Sequence, residues 1–348
     1  MDSPVSPRPG DRAIALWLLA CCAMVFAMVV VGGMTRLTHS GLSIVEWQPI
    51  VGAVPPLDDA QWEEAFAKYR ETPEYRLRNH DMTLEGFKGI FWWEYFHRLL
   101  GRTIGVVFLV PFLWFLARKR IPRRLAWPLA GIFVLGGLQG AVGWFMVKSG
   151  LVDDPRVSSV RLAMHLGLAF LIYAAMLWVA LGLLHARDSA PATLARGAKA
   201  LAALVFLMVL SGALVAAIKA GYAYNTFPLM DGHWIPPEIL MIDPWWMNFV
   251  NNMATVQLVH RAIAMLIAVC VVLIWWRVRS NAGTPGRARA WSNALAVFAA
   301  LQICAGIATL LLRVPLPLAA IHQSGAVLVF TCAIGLAHAL RGREALHP

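Results

Sequence analysis

Residues 94–102 read EYFHRLLGR, and they place a carboxylate, a histidine and two arginines at the mouth of a long apolar run. A weaker copy, QLVHR, occupies residues 257–261, and its histidine follows the first by 163 residues. Ionisable side chains at membrane depth are costly and almost always face the interior of a helix bundle. The two stretches therefore predict a bundle of membrane helices organised around two histidine-bearing helices.

The composition is that of a membrane protein. Of the 348 residues, 59% are hydrophobic and only 14% are charged, with a mean hydropathy of +0.64, whereas a soluble domain carries roughly 25% charged residues. Eight apolar runs approach or exceed the roughly 20 residues that cross a bilayer as a helix. We therefore predict an all-α, polytopic membrane protein with eight transmembrane helices. The runs cover residues 13–34, 90–117, 126–147, 161–185, 199–219, 253–276, 291–312 and 318–340.

Basic residues cluster in the short segments on one side of these runs. Cytoplasmic loops carry an excess of Lys and Arg, so this side is predicted to be cytoplasmic, with both termini inside and the first span retained. The same clusters account for the net charge of +11 and argue against nucleic-acid binding. They comprise Arg8 and Arg12, residues 118–124, Arg187 with Arg196 and Lys199, residues 277–289, and Arg341 with Arg343.

Two long loops fall on the other side, at residues 36–89 and 220–252. The first contains two aspartates that can cap a short helix with one aromatic face, and we expect this helix to lie on the bundle or on the membrane surface. The second loop is rich in aromatic residues and proline, which fits either a lid or an interfacial aromatic belt. The residues of the short helix are Asp58 and Asp59, followed by Trp62, Phe66 and Tyr69.

The chain is predicted to be an internal duplication. Spans one to four resemble spans five to eight, and an even number of spans gives both copies the same orientation, about an axis along the membrane normal. The matches are His97 with His260, Gln139 with Gln302, Gly143 with Gly306, His165 with His322, Gly32 with Gly212 and Gly41 with Gly221. We predict two parallel-repeat four-helix bundles, as follows: a tail (1–12), an N-terminal half (13–185), a linker (186–198), a C-terminal half (199–340) and a tail (341–348).

Four histidines lie at matched depth near the outer ends of the even-numbered spans: His97, His165, His260 and His322. A single membrane histidine is often only a hydrogen bond between helices, but two matched pairs indicate ligands. Zinc needs further N, S or O ligands, and the five cysteines are not placed for it and form no covalent haem motif. Haem iron accepts two axial imidazoles, one on each face of the ring. Two haem sites are therefore the favoured interpretation, with Arg98, Arg102 and Arg261 placed to pair with propionates or to snorkel.

The two copies differ at one chemically important position. Glu94 lies three residues before His97, whereas the matching position before His260 is Gln257. A carboxylate beside a haem can take a proton or stabilise a developing positive charge, which favours one chemically active site and one electron-transfer site. The alternative is that Glu94 only pairs with Arg98 or binds a loop.

The sequence resembles haem A synthase, the membrane enzyme family that converts haem O to haem A, over residues 13–340. The resemblance is to the proteobacterial and mitochondrial subgroup, which lacks a cysteine pair in the first outer loop. It implies haem O as substrate at His97, His165 and Arg98, and a permanent haem b at His260, His322 and Arg261. It also implies a catalytic role for Glu94. The stretches that carry the resemblance are residues 32–38, 40–43, 47–56 and 91–102.

The resemblance also implies that the C8 methyl of haem O is oxidised to a formyl group, through hydroxymethyl haem I, for use in cytochrome oxidase. An inner-membrane location with the haem sites toward the periplasm is expected, together with haem O synthase and an electron acceptor as partners and a possible homo-oligomer. Two other functions fit duplicated histidine pairs. One is a di-haem b-type electron-transfer protein linked to quinone, and the other is a haem transporter or chaperone.

Overall fold

The computed structural model describes residues 9–48, 51–186 and 190–342, and this part of the chain is almost entirely α-helical. Eight of its helices are long and apolar enough to cross a membrane, which confirms the predicted all-α, polytopic membrane class. The helices are α1 (Pro9–Leu37), α2 (Asp59–Arg70), α3 (Pro73–Arg78), α4 (Leu84–Ala117), α5 (Arg123–Lys148), α6 (Ser159–Leu184), α7 (Ala192–Ala217), α8 (Asn248–Asn251), α9 (Met253–Ser280), α10 (Gly286–Leu311) and α11 (Leu316–Ala339).

Most membrane helices extend beyond the apolar runs that predict them. Helix α4 begins at Leu84, six residues before its apolar run, because the Thr83 side chain caps it by accepting a hydrogen bond from the Gly86 N–H. Helix α9 begins where expected, and the Asn252 side chain accepts hydrogen bonds from the N–H groups of Ala254 and Thr255. Polar first turns are invisible to hydropathy, so only the apolar part of each helix is predicted.

The described residues pack into two compact units. One spans residues 23–169, and the other combines residues up to 22 with residues 170 onward. Within the second unit, α7, α9, α10 and α11 form a closed ring of helix–helix contacts, as in a four-helix bundle. The predicted division into two duplicated halves stays a prediction. Most of the predicted tails and part of the linker (1–8, 187–189 and 343–348) lie outside the described residues, as do residues 49–50 of the first outer loop.

The first outer loop is fixed to α4 by aromatic packing, as the shared face of its short helix predicts. Asp58 caps α2 by accepting a hydrogen bond from the Gln61 N–H at 2.8 Å. The buried aromatic face of α2 then packs against aromatic residues of α4, and this burial holds the loop on the helix that carries His97. The packed residues are Trp62, Phe66 and Tyr69 of α2 with Phe87, Phe91 and Tyr95 of α4.

Candidate functional site

Each of the four predicted histidine ligands faces a glycine on the preceding membrane helix. The pairs are His97 with Gly32, His165 with Gly143, His260 with Gly212, and His322 with Gly306. A Cβ atom added to these glycines would lie 2.9 Å from His97 Nε2, 2.8 Å from His165 Cε1, 3.4 Å from His260 Cε1 and 2.7 Å from His322 Cε1. At three of the four positions any side chain would push the imidazole away, so glycine is required for the observed packing.

A glutamine one turn before the cradling glycine holds the second histidine of each half. Gln139 Nε2 lies 3.1 Å from His165 Nδ1 and donates to His165 O at 3.0 Å. Gln302 Nε2 donates to His322 O at 2.8 Å, while the buried His322 Nδ1 has no hydrogen-bond partner among the described residues. The repeated glutamine is therefore a structural support of the histidine helices, a role that the repeat alone does not reveal.

The four histidines interact electrostatically in two pairs, His97 with His165 and His260 with His322. Throughout the described ranges, no three His, Cys, Asp or Glu side chains are grouped to hold a metal ion. Two imidazoles per site, glycine cradles and a bare imidazole nitrogen on His322 fit a haem with two axial histidines better than a metal ion held by the protein alone.

Glu94 is deeply buried, with a relative exposure of 3%, and both of its oxygens are engaged. Oε2 accepts hydrogen bonds from the N–H and hydroxyl of Ser43, both at 2.7 Å, and from the Ile44 N–H at 2.9 Å. Oε1 accepts from Arg98 Nε at 3.1 Å and from Arg98 Nη2 at 2.6 Å. Glu94 therefore forms both the ion pair with Arg98 and the loop contact that were considered as alternatives to catalysis. Neither interaction precludes a chemical role.

Arginines and a tyrosine of α4 extend this fastening along the first outer loop. Arg98 donates to the carbonyls of Ile44 and Glu46 at 2.7 and 2.9 Å. Arg102 donates to the Gln48 carbonyl at 2.8 Å, and Tyr95 donates to the Ala53 carbonyl at 2.8 Å. The loop is therefore strapped to the helix turn that carries His97.

The matching residue in the second half, Gln257, also binds its outer loop, but it donates hydrogen bonds to the loop where Glu94 accepts them. Gln257 Nε2 donates to the carbonyls of Ala220 and Tyr224 at 2.8 and 3.3 Å. Gln257 Oε1 accepts from Arg261 at 3.2 Å, and Arg261 also donates to the Tyr224 carbonyl at 3.0 Å. Within the part of the chain that the structure describes, buried Arg261 Nε has no hydrogen-bond partner, which fits a position beside an anionic group. The first outer loop thus presents N–H and O–H donors to the Glu94 carboxylate, and the second presents backbone carbonyls to the Gln257 amide.

A second buried carboxylate lies behind Glu94 in the first outer loop. Glu74 of α3 has a relative exposure of 3% and accepts a hydrogen bond from the Tyr69 hydroxyl at 3.3 Å. The pKa of Glu74 is raised to about 7, chiefly by burial and also by the Glu94 carboxylate, whereas Tyr69 and Arg78 oppose the shift. This group was not predicted, because its burial depends on the docking of α2 and α3.

Two further residues of the site escaped prediction. Ser43 was noted only as part of a motif, yet its hydroxyl binds Glu94 directly. The Ser211 hydroxyl lies 3.1 Å from His260 Nδ1, and nothing in the local sequence around Ser211 marks it. The neighbouring Gly212, matched to Gly32 by the repeat, was the only signal that pointed to this turn of α7.

The eight candidate membrane spans define the class of the protein as an all-α, polytopic membrane protein. Comparison with known proteins is more specific. The model of the family described as cytochrome oxidase assembly protein matches residues 15–334, and the chain belongs to this family. That result confirms the resemblance noted from the sequence.

Several curated relatives of the chain carry the same name. A protein of Nitrosospira multiformis named Heme A synthase is 58% identical over 336 residues, which cover 95% of this chain and 94% of the relative. Proteins of the same name from Nitrosomonas eutropha and Rhodospirillum centenum are 55% and 51% identical, covering 92% and 98% of this chain and 92% of each relative. The similarity therefore extends through both outer loops and all eight spans.

Proposed function

We propose that this protein is a haem A synthase, which oxidises the C8 methyl group of haem O to a formyl group for cytochrome oxidase. The conversion adds one oxygen atom from water and removes four electrons and four protons, through hydroxymethyl haem I and a gem-diol that loses water. The observation that carries the proposal is the pair of glycine-cradled histidines in each half, in a chain that belongs to this family.

The two histidine pairs are assigned different occupants. Haem O is held as substrate by His97 and His165 with Arg98, and haem b is held as cofactor by His260 and His322 with Arg261. The presence of a carboxylate at residue 94 and an amide at residue 257 supports this division, since only the first of these two matched positions can take up a proton. The cofactor haem b would supply a one-electron relay toward an external acceptor.

Glu94 is proposed to act on the substrate by taking a proton or by stabilising positive charge that develops at the ring edge. Four of its five hydrogen-bond donors are backbone N–H or guanidinium groups, which can only donate. The Ser43 hydroxyl is different, because it can turn to the Ser40 carbonyl, 3.3 Å away, and then accept from a protonated Glu94. Ser43 thus gives the buried carboxylate a partner in either protonation state.

The oxygen of the formyl group is proposed to come from water. If histidine fills both axial positions of the substrate haem, dioxygen has no free position on its iron. Electron removal from the bound haem followed by water attack on the methyl-derived carbon satisfies this constraint. Turnover under ¹⁸O-labelled dioxygen tests the scheme, since label in the formyl or hydroxymethyl product would contradict it.

The protein is proposed to lie in the inner membrane with both termini in the cytoplasm and its haem sites toward the periplasm. The basic clusters between α4 and α5 and between α9 and α10 support this orientation. The proposed partners are haem O synthase, which makes the substrate, an electron acceptor, and further copies of this chain in a homo-oligomer.

The deciding experiment is haem extraction from protein purified out of cells that make haem O, followed by chromatographic identification. Haem A or haem I in the extract is the expected result. Haem b alone would favour the di-haem electron-transfer protein, and unmodified haem O would favour a transporter or chaperone. Glu94→Ala is expected to accumulate haem O or haem I while it retains the haem b spectrum of the second half.

A further inference from the structure

In the second half, a serine hydroxyl lies within hydrogen-bond distance of the imidazole of the first histidine, His260. Ser211 is buried on α7, and its Oγ lies 3.1 Å from Nδ1 of His260 on α9. The next residue, Gly212, gives the same imidazole its space. The dipeptide thus combines room for the ring with a hydrogen bond to one of its two nitrogens, which leaves Nε2 for a ligand.

The first half has no hydroxyl at this place. Gly32 cradles His97 as Gly212 cradles His260, but the residue before Gly32 is Val31. There the side-chain hydrogen bond goes to the second histidine, His165, whose Nδ1 accepts from the Gln139 amide. The hydrogen-bonded imidazole therefore belongs to different members of the two pairs.

We propose that Ser211 is a positioning residue for the cofactor haem, which fixes His260 in the tautomer that presents Nε2 to the iron. With Nε2 as ligand, a neutral imidazole carries its proton on Nδ1, and the Ser211 oxygen accepts that proton in a hydrogen bond. Such a bond orients the ring and makes it a stronger ligand. This inference rests on the proposed function, because it takes haem b as the occupant of the second half.

The expected consequence is tighter retention of haem b and a lower reduction potential than the same histidine pair would give without the hydroxyl. Loss of a hydrogen bond to a metal-ligating histidine typically costs about 10–100-fold in affinity. A tenfold change in the relative affinity for the oxidised and reduced haem corresponds to about 59 mV for a one-electron couple. A weaker imidazole donor favours the reduced iron, so the potential should rise.

The test uses the full-length protein with the first site disabled by His97→Ala, purified from cells that make haem b but no haem O. Ser211→Val installs the side chain that the first half carries. Ser211→Thr keeps the hydroxyl. Ser292→Val is a matched control, because Ser292 is also a buried serine, but its hydroxyl donates to the Arg289 carbonyl of its own helix. Redox titration and the rate of haem transfer to apomyoglobin are measured for each.

We expect Ser211→Val to release haem about tenfold faster or more and to raise its potential, with Ser211→Thr and Ser292→Val close to the parent protein. Equal potentials and release rates in all variants would overturn the role of Ser211. If Ser211→Val does not fold, the smaller Ser211→Ala is compared with Ser211→Thr by the same criteria. A parent protein without a bis-histidine haem spectrum would instead contradict the proposed haem b site itself.

Discussion

Glu94→Gln is expected to destabilise the closed conformation of the first outer loop, and Gln257→Glu that of the second. In the first loop the N–H groups of Ser43 and Ile44 point at a carboxylate. A glutamine at residue 94 would turn its oxygen toward Arg98, as Gln257 does toward Arg261, because hydrogen bonds to a charged donor are the stronger ones. Its amide nitrogen would then face two N–H donors.

The size of the effect follows from those two donors. The Ser43 hydroxyl can reverse and accept from the new amide, so only the two backbone N–H groups lose their partner. A buried donor left unsatisfied costs about 1–3 kcal/mol, so the closed loop should lose about 3 kcal/mol. Since 1.4 kcal/mol is a factor of about ten, local opening should become roughly 100-fold more frequent. Gln257→Glu should have a comparable effect, because a carboxylate would face the Ala220 and Tyr224 carbonyls.

Hydrogen–deuterium exchange with mass spectrometry measures this opening directly. Glu94→Gln should accelerate exchange in peptides covering residues 40–46 and leave those covering 220–229 unchanged, and Gln257→Glu should do the reverse. Each variant therefore serves as the control for the other. Unchanged exchange in both loops, or equal acceleration of both loops by one variant, would refute the idea that each loop is matched to a donor or an acceptor at residue 94 or 257.

Three further variants probe the same site. Ser43→Ala should lower haem A formation several-fold, because Glu94 loses a hydrogen-bond partner that can both donate and accept, whereas Ser43→Thr should restore it; extracted haems report the outcome. Gly143→Ala should reduce haem content in the first site by displacing His165, while Gly140→Ala, where an added Cβ meets nothing within 4 Å, should not; pyridine haemochrome assays compare the two. The pKa of Glu74 is raised to about 7, so the folded loop binds a proton more tightly than the unfolded loop does. The stability of the loop should therefore fall as pH rises from about 4.5 to 7. Hydrogen–deuterium exchange of residues 59–78 should accelerate over the same range, and Glu74→Gln should remove this pH dependence.

The fold is predictable from sequence because its main determinant is local. Eight apolar runs are long enough to span a membrane, and each becomes a helix whose apolar part lies where the run predicts. The aromatic face of α2 is predictable for the same reason, since Trp62, Phe66 and Tyr69 recur at helical spacing. What the runs miss are polar first turns such as that of α4, where Thr83 extends the helix outward.

The candidate site is only partly predictable, because its supporting contacts are not periodic. The histidines and Glu94 were identified by comparison of the two copies, which exposes a shared pattern and one difference. Ser43 contacts a residue 51 positions away, and Ser211 contacts one 49 positions away. Neither distance leaves a signature in one sequence, so these residues emerge only when the helices are placed side by side.

The predicted duplication would explain how one scaffold serves the two proposed tasks with few changes. In both halves a residue three positions before the first histidine joins an arginine in fastening the outer loop, so either side chain satisfies that structural demand. The choice of glutamate or glutamine is then free to set the chemistry, provided that the loop presents matching donors or acceptors. The first half carries a carboxylate with a reversible hydroxyl partner, which suits proton handling. The second carries an inert amide and a serine on its histidine, which suits a cofactor that must stay bound. The asymmetry in function is therefore proposed to reside in Glu94 with Ser43 and in Gln257 with Ser211, rather than in the histidines that the halves share.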